Sequence, residues 1–325
     1  MSRGPVLTGQ GLDQKVGLMP EWIADLYISF FGSDVVIAPE YVLVTILFGW
    51  LFFKFGPSRR GKEKGFWHWL TPRELYRNKS TRVDIELFLL NRLMVFLGIF
   101  GPITLTTAVA LSVARWTGGG PSAPPALSPL ALAFLLWLVS DFATYWIHRL
   151  HHRIPLIWPL HAVHHSAEVL TPLTAFRQHP LELFNITVFA TILIGAAQGL
   201  LIGALDPGAL VAEVAGANAF AVAARLALAN FHHSHIWISF GPVFERVFIS
   251  PAQHQIHHSV DPAHYNKNFG QTLALWDWVF GTLYVIRGHE DLRFGLEGED
   301  EAPLMTQNFA QILVDPVRRL LPLRR

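Results

Sequence analysis

Several stretches of this chain run the length of a bilayer with almost no charge, and nothing else in the sequence limits its fold as much. Val36–Phe53 is the first, interrupted near its start by Pro39 and Glu40. Leu93–Val113 carries no charge, Leu130–Ile147 carries only Asp141, and Phe184–Leu205 is again uncharged. Ala209–Ala229 is weaker, because it contains Glu213, Asn218 and Arg225. It reads as a fifth span packed on protein, or as a hairpin partner of the fourth across the Asp206-Pro207-Gly208 turn. A backbone in lipid must satisfy its own hydrogen bonds, so such segments are helices. The expected fold is therefore an all-α integral membrane bundle of four to five spans. Apolar residues make up 51% of the chain and charged residues only 15%, against about 25% in a soluble domain. That balance excludes both a soluble globular enzyme and a disordered chain.

The basic residues set the orientation. Nine lie between Lys54 and Asp84: Lys54, Arg59, Arg60, Lys62, Lys64, Arg73, Arg77, Lys79 and Arg82. The first 35 residues hold two, Arg3 and Lys15, and Ala114–Ser128 holds one, Arg115. The 54–84 loop is thus expected in the cytoplasm, and counting crossings brings residues 148–179 and 232–264 to the same side. The N-terminal segment has no apolar core of signal-peptide length, and Trp22–Phe31 reads as an amphipathic surface segment. Ile236–Ile249 and Leu273–Ile286 are aromatic-rich but too short to cross, so they read as interfacial. Gly118–Pro125 is a loop between spans, and no internal repeat appears. The chain reads as one membrane domain, 1–325. Within it, 1–35 is an extracytoplasmic segment, 36–129 holds the first two spans, 130–290 is the catalytic region and 291–325 is a cytoplasmic tail.

Histidine is the compositional anomaly. There are 16, of which 14 fall between His148 and His264. Asp141, Tyr145, His148 and His152 are spaced to share one helical stripe at the end of the third span. An acidic residue such as Asp141 inside a span is expensive and points to function. His161, His164 and His165 form an HxxHH cluster, and His254, His257 and His258 repeat it. Between them lie Arg177-x-His179-Pro180-x-Glu182 and Phe231-His232-His233-Ser234-His235. Neutral imidazole binds zinc, copper, iron or nickel. A zinc takes three or four protein ligands, so the eight clustered histidines are too many for one metal and about right for two. A pair of imidazole-held metals with open positions suits oxygen activation at iron. The chain has no cysteine, which removes disulfides, zinc fingers, iron–sulfur clusters and thiol nucleophiles. Its net charge of +1 leaves no basic field for nucleic acid.

The ordered text DFATYWIHRLHH, WPLHAVHHS, FRQHPLE, FHHSHI, QHQIHHS and NKNFGQTLALWDWVFGTLY resembles the fatty acid hydroxylase/sterol desaturase superfamily of membrane di-iron oxygenases. The likeness runs from Asp141 to Tyr284. It implies a cytoplasmic histidine-rich helical cap over a lipid tunnel, two iron ions, and dioxygen as co-substrate for hydroxylation or desaturation of a lipid. Carried over residue by residue, it implies His148, His152, His161, His164, His165, His254, His257 and His258 as ligands, with His233 as a ninth. His179, in the RxHPxE element, is implied as a further ligand or a supporting residue. Asp141, Glu182 and Asn268 are candidates to support the chemistry by orienting metal-bound histidines, with Glu168 a weaker candidate. His235 stands where the family has Asn, and Asn266 where it often has Asp. No dinucleotide fingerprint is present, so electrons are expected from a separate donor, a ferredoxin or cytochrome with its reductase. The partners are then the membrane, a lipid substrate and that donor. The Ala- and Gly-rich composition points to a bacterial inner membrane. A zinc-dependent hydrolase would want Glu second in an HxxHH copy, where Ala162 and Gln255 stand. A metal transporter would place ligands at the bilayer midplane rather than past the span ends.

Overall fold

The computed structural model describes residues 20–32, 35–56, 61–99, 104–118, 127–205 and 228–321. Among them there is no β-strand, only two isolated bridges, Phe248 with Leu273 and Ser259 with Phe294. The main helices are α1 (Glu21–Phe31), α2 (Pro39–Phe55), α3 (Lys79–Phe96), α4 (Thr104–Trp116) and α5 (Pro129–Arg153). They continue with α6 (Trp158–His165), α7 (Pro180–Leu205), α8 (Pro251–His257), α9 (Leu275–Val279) and α10 (Phe309–Leu320). Short helical turns fill the connections.

Among the described residues two helices, Pro129–Arg153 and Pro180–Ala204, are long and apolar enough to cross a membrane. Their residue count gives each about 37 Å at 1.5 Å per residue. The third and fourth expected spans, Leu130–Ile147 and Phe184–Leu205, fall on these two helices. Pro39 does not interrupt the first; it occupies the first turn of α2, where a missing N–H costs nothing. The expected second span, Leu93–Val113, is not one helix. α3 ends at Phe96, Gly98 takes a left-handed φ of 71°, and a new helix begins at Thr104. A residue without Cβ adopts that conformation freely and stops the helix. The fifth expected span and its Asp206-Pro207-Gly208 turn lie almost wholly outside the described residues.

α4 and α7 pack as a tight pair. Gly195, Gly199 and Gly203 recur every four residues on α7, and a Cβ on any of them would collide with α4 or with Thr117 just beyond it. Small residues at this spacing let two apolar helices approach closely where lipid offers no hydrophobic drive. α3 buries Val83 and Leu87 against Ala162 and Val163 of α6, with Leu304 and Ile312 completing the cluster. α6 is thus held from behind by α3 and α10, and its histidines face the opposite way. α8 starts from a capping box in which Ser250 and Gln253 satisfy each other's backbone N–H. The two segments expected to be interfacial contain only a turn at Gly241–Phe244 and the short α9. They leave Val243, Phe244, Trp278 and Val279 more than half exposed.

Candidate metal centre

Nine histidines converge in two groups. His148, His152, His161, His165 and His257 form one, and His164, His233, His254 and His258 form the other. Within each group the ligand atoms all lie within 4.8 Å of one another. The groups touch: the rings of His165 and His258 stack with centroids 4.6 Å apart, and His164 and His165 are chain neighbours. Each HxxHH cluster is divided between the groups. His161 and His165 go to the first and His164 to the second; His254 and His258 go to the second and His257 to the first. Residues four apart on a helix point the same way, while a neighbour is turned by about 100°.

The four-histidine group tests what the site can hold. His233 Nε2 lies 3.2 Å from His164 Nε2, 3.0 Å from His254 Nε2 and 3.2 Å from His258 Nε2. His254 and His258 Nε2 are 3.3 Å apart. One imidazole nitrogen carries at most one proton, so hydrogen bonds cannot account for this convergence. Nitrogens about 2.0–2.1 Å from a shared ion would be about 3.0 Å apart at right angles and about 3.4 Å apart in a tetrahedron. In the five-histidine group, His152 and His161 Nε2 are 3.0 Å apart, and the buried Nε2 atoms of His165 and His257 have no hydrogen-bond partner. The donor set fits a metal in each group.

Burial keeps these donors ready. It pushes the imidazoles of His161, His165, His233, His254 and His258 well below the ordinary histidine range. The same cause, with neighbouring positive groups, takes His164 to about 3, and burial takes His257 to about 4. All stay neutral near pH 7, with a lone pair available to a metal.

The five-histidine group is also oriented from outside. His148 Nδ1 donates to the Phe269 carbonyl and His257 Nδ1 to the Lys267 carbonyl, each at 2.8 Å. His161 Nδ1 meets Glu182 Oε1 at 2.6 Å. Glu182 is therefore where its expected role requires. Asp141 is not beside a histidine. It accepts from the Trp276 indole at 2.9 Å and the Leu273 amide at 3.3 Å, tying α9 to the span. Asn268 touches no ligand either: it donates to the Gln253 carbonyl and accepts from the Tyr284 amide. His179 joins neither group. Its Nδ1 accepts from the Leu181 amide at the start of α7, and its Nε2 donates to the Leu313 carbonyl. Both nitrogens are hydrogen-bonded, and Nδ1 caps the start of α7. His235 donates to the Trp69 carbonyl at 2.7 Å, His151 donates to the Ile147 carbonyl at 2.8 Å, and Glu168 is exposed.

Arg177 was legible only as a letter in RxHPxE, yet it anchors the site. It is fully buried, pairs with Asp84 at 2.9 Å, and donates to the Val163 carbonyl, the Ser166 hydroxyl and Gln307. These bonds hold the C-terminal end of α6. An Arg and an Asp far apart in sequence give no local signal of such pairing. An apolar cavity of about 380 Å³ is lined by Ile37, Ile46, Leu70, Leu173, Phe231 and Ile236, among others, and by none of the nine converging histidines. Its Phe231–Ile236 wall belongs to the segment that carries His233.

Short helices and the end of α5 thus bring nine imidazoles, seven of them buried, to two adjoining points that could each hold a metal ion. The fatty acid hydroxylase family model matches residues 133–282, the segment that builds the site. This bears out the resemblance read from the motifs. Alkylglycerol monooxygenase of Homo sapiens is 28% identical over 146 residues, 45% of this chain and 29% of that protein. Its counterpart in Danio rerio is 30% identical over 46% of this chain and 30% of its own length. Ornithine lipid hydroxylase of Rhizobium tropici is 31% identical over 48% of this chain and 43% of its own length. The alignments thus span less than half of each of these relatives. No solved structure gives a significant match.

Proposed function

We propose that this protein is a membrane-bound, dioxygen-dependent oxidoreductase that hydroxylates a lipid with two iron ions. The observation that carries the reading is the division of nine histidines, seven buried and two half-buried, into two adjoining donor groups. The five-histidine group and the four-histidine group would each hold one iron. The bound irons supply reductive activation of dioxygen and oxidation of an unactivated C–H bond, chemistry that side chains alone do not perform. The chain itself fixes the donors, keeps them unprotonated by burial and excludes water from the site. Glu182 accepts the His161 Nδ1 proton and strengthens that donor. The names of the relatives, a monooxygenase and a lipid hydroxylase, favour oxygen insertion over desaturation. The apolar cavity beside the His233 segment suits a hydrocarbon chain.

The membrane-length α5 and α7 support a site at a bilayer surface, and the charge bias of the 54–84 loop favours the cytoplasmic side. There it is open to a separate electron donor, a ferredoxin or a cytochrome with its reductase. The test compares lipid mass profiles of cells carrying the wild type with those carrying His164→Ala/His257→Ala, which removes one donor from each group. A lipid that gains one oxygen only with the wild type supports the reading and names the substrate. Equal product from the variant would overturn the metal assignment. A lipid that loses two hydrogens instead would make the enzyme a desaturase.

A further inference from the structure

We infer that Asp277 is a positioning residue for the five-histidine site, acting through the backbone of residues 267–270; the inference rests on that group holding a metal. His148 on α5 and His257 on α8 are far apart in sequence, yet their Nδ1 atoms donate to two carbonyls of one short loop, Phe269 and Lys267. A carbonyl only accepts, so both Nδ1 atoms carry the proton and both Nε2 lone pairs are left for the metal. One loop thus sets the tautomer and ring orientation of two donors.

The loop is held rigidly. Asn268, between the two carbonyls, sits at φ 54°, a left-handed conformation that Asn tolerates better than most residues. Its side chain is bonded to Gln253 and Tyr284 backbone on either side. The fully buried Asp277 carboxylate takes the next two amides: Oδ1 accepts from Phe269 at 2.8 Å and Oδ2 from Gly270 at 2.7 Å. A Cβ at Gly270 would crowd Asp277 Oδ2, so glycine is what permits this approach. Oδ1 also accepts from the Thr282 hydroxyl at 2.6 Å. With that proton committed, Tyr145 OH donates to Thr282 Oγ1 at 3.0 Å and itself accepts from Arg149 at 2.8 Å. Tyr145 and Arg149 flank His148 on α5. The carboxylate therefore ties the helix that carries His148 and His152 to the loop that orients His148 and His257.

The four-histidine group has no such clamp. The Nδ1 atoms of His164, His254 and His258 are buried without a hydrogen-bond partner. Loss of Asp277 should therefore be felt at one metal and not the other. Asp277→Asn keeps the size but presents a single acceptor oxygen to three donors, and sets an NH₂ against an N–H.

The experiment measures iron per chain in the purified full-length protein, with the absorption spectrum of the cobalt-substituted protein as a second readout. The wild type should hold two ions. Asp277→Asn should retain one, binding the other about 10- to 100-fold more weakly, with the spectrum of the remaining site unchanged. Thr282→Ser, which keeps the hydroxyl, should hold two. If Asp277→Asn does not fold, Asn268→Gly keeps the backbone and its carbonyls while losing the side-chain bonds, and carries the same expectation. Two ions of unchanged affinity in a folded variant would overturn the inference. So would parallel loss of both, the mark of a general structural role. A wild type that holds fewer than two ions would instead strike the functional reading, and the inference with it.

Discussion

Arg177 illustrates how much rests on single buried groups. Its guanidinium meets a carboxylate, a hydroxyl, an amide oxygen and a backbone carbonyl, all without solvent. A lysine there would keep the charge but present a point donor where a planar fork is needed. Arg177→Lys leaves Asp84 and the Val163 carbonyl underbonded. The expected loss is about 1–3 kcal/mol of stability, the range for leaving a buried acceptor without its donor. Thermal melting in detergent would read it as a clear fall in Tm. At the same scale, the RxHPxE element leaves His179 open between ligand and supporting residue, and a histidine just before a proline-led helix is well placed to cap it.

Among the elements, α6 and α8 do the most work with the fewest residues. Each carries one HxxHH cluster, and each sends its i and i+4 histidines to one group and its i+3 histidine to the other. Spacing alone placed all three on one face; the 100° turn between neighbours separates them once a second helix arrives. α4 and α7 show the opposite economy, with close approach achieved by having no side chain at Gly195, Gly199 and Gly203. Gly199→Val would press into the Ala110 backbone, which cannot move aside. Overpacking of this kind costs about 1–3 kcal/mol. A lowered melting temperature with unchanged iron content is the expected result, because the histidine groups lie outside this contact.

For the whole molecule, the concentration of neutral histidines predicts how it answers to acid. His164, His232 and His257 are held at about 3, 4 and 4 by burial, far below the unfolded value near 6.5. In the metal-free protein the unfolded chain therefore binds protons that the folded chain refuses. Stability is complete above about pH 6.5 and falls as the pH drops toward about 4. Circular dichroism melts of metal-stripped protein across that window would show Tm falling with pH. A flat profile would mean that the histidines are solvated rather than buried.

The sequence by itself determined the class of the fold and most of the donors. Apolar runs of bilayer length demand helices, and the histidine spacing picks out eight of the nine residues that converge, because both signals are local periodicities; His233 enters only through the family resemblance. The sequence did not reveal the break at Gly98 within a run that looked continuous, since glycine is tolerated in apolar helices and its φ is set by what packs around it. Nor did it show the five-and-four division, the cap at His179, or the loop roles of Asn268 and Asp277. Those depend on which carbonyls and amides arrive from distant segments, and hydrogen-bond partners across that distance leave no pattern along the chain.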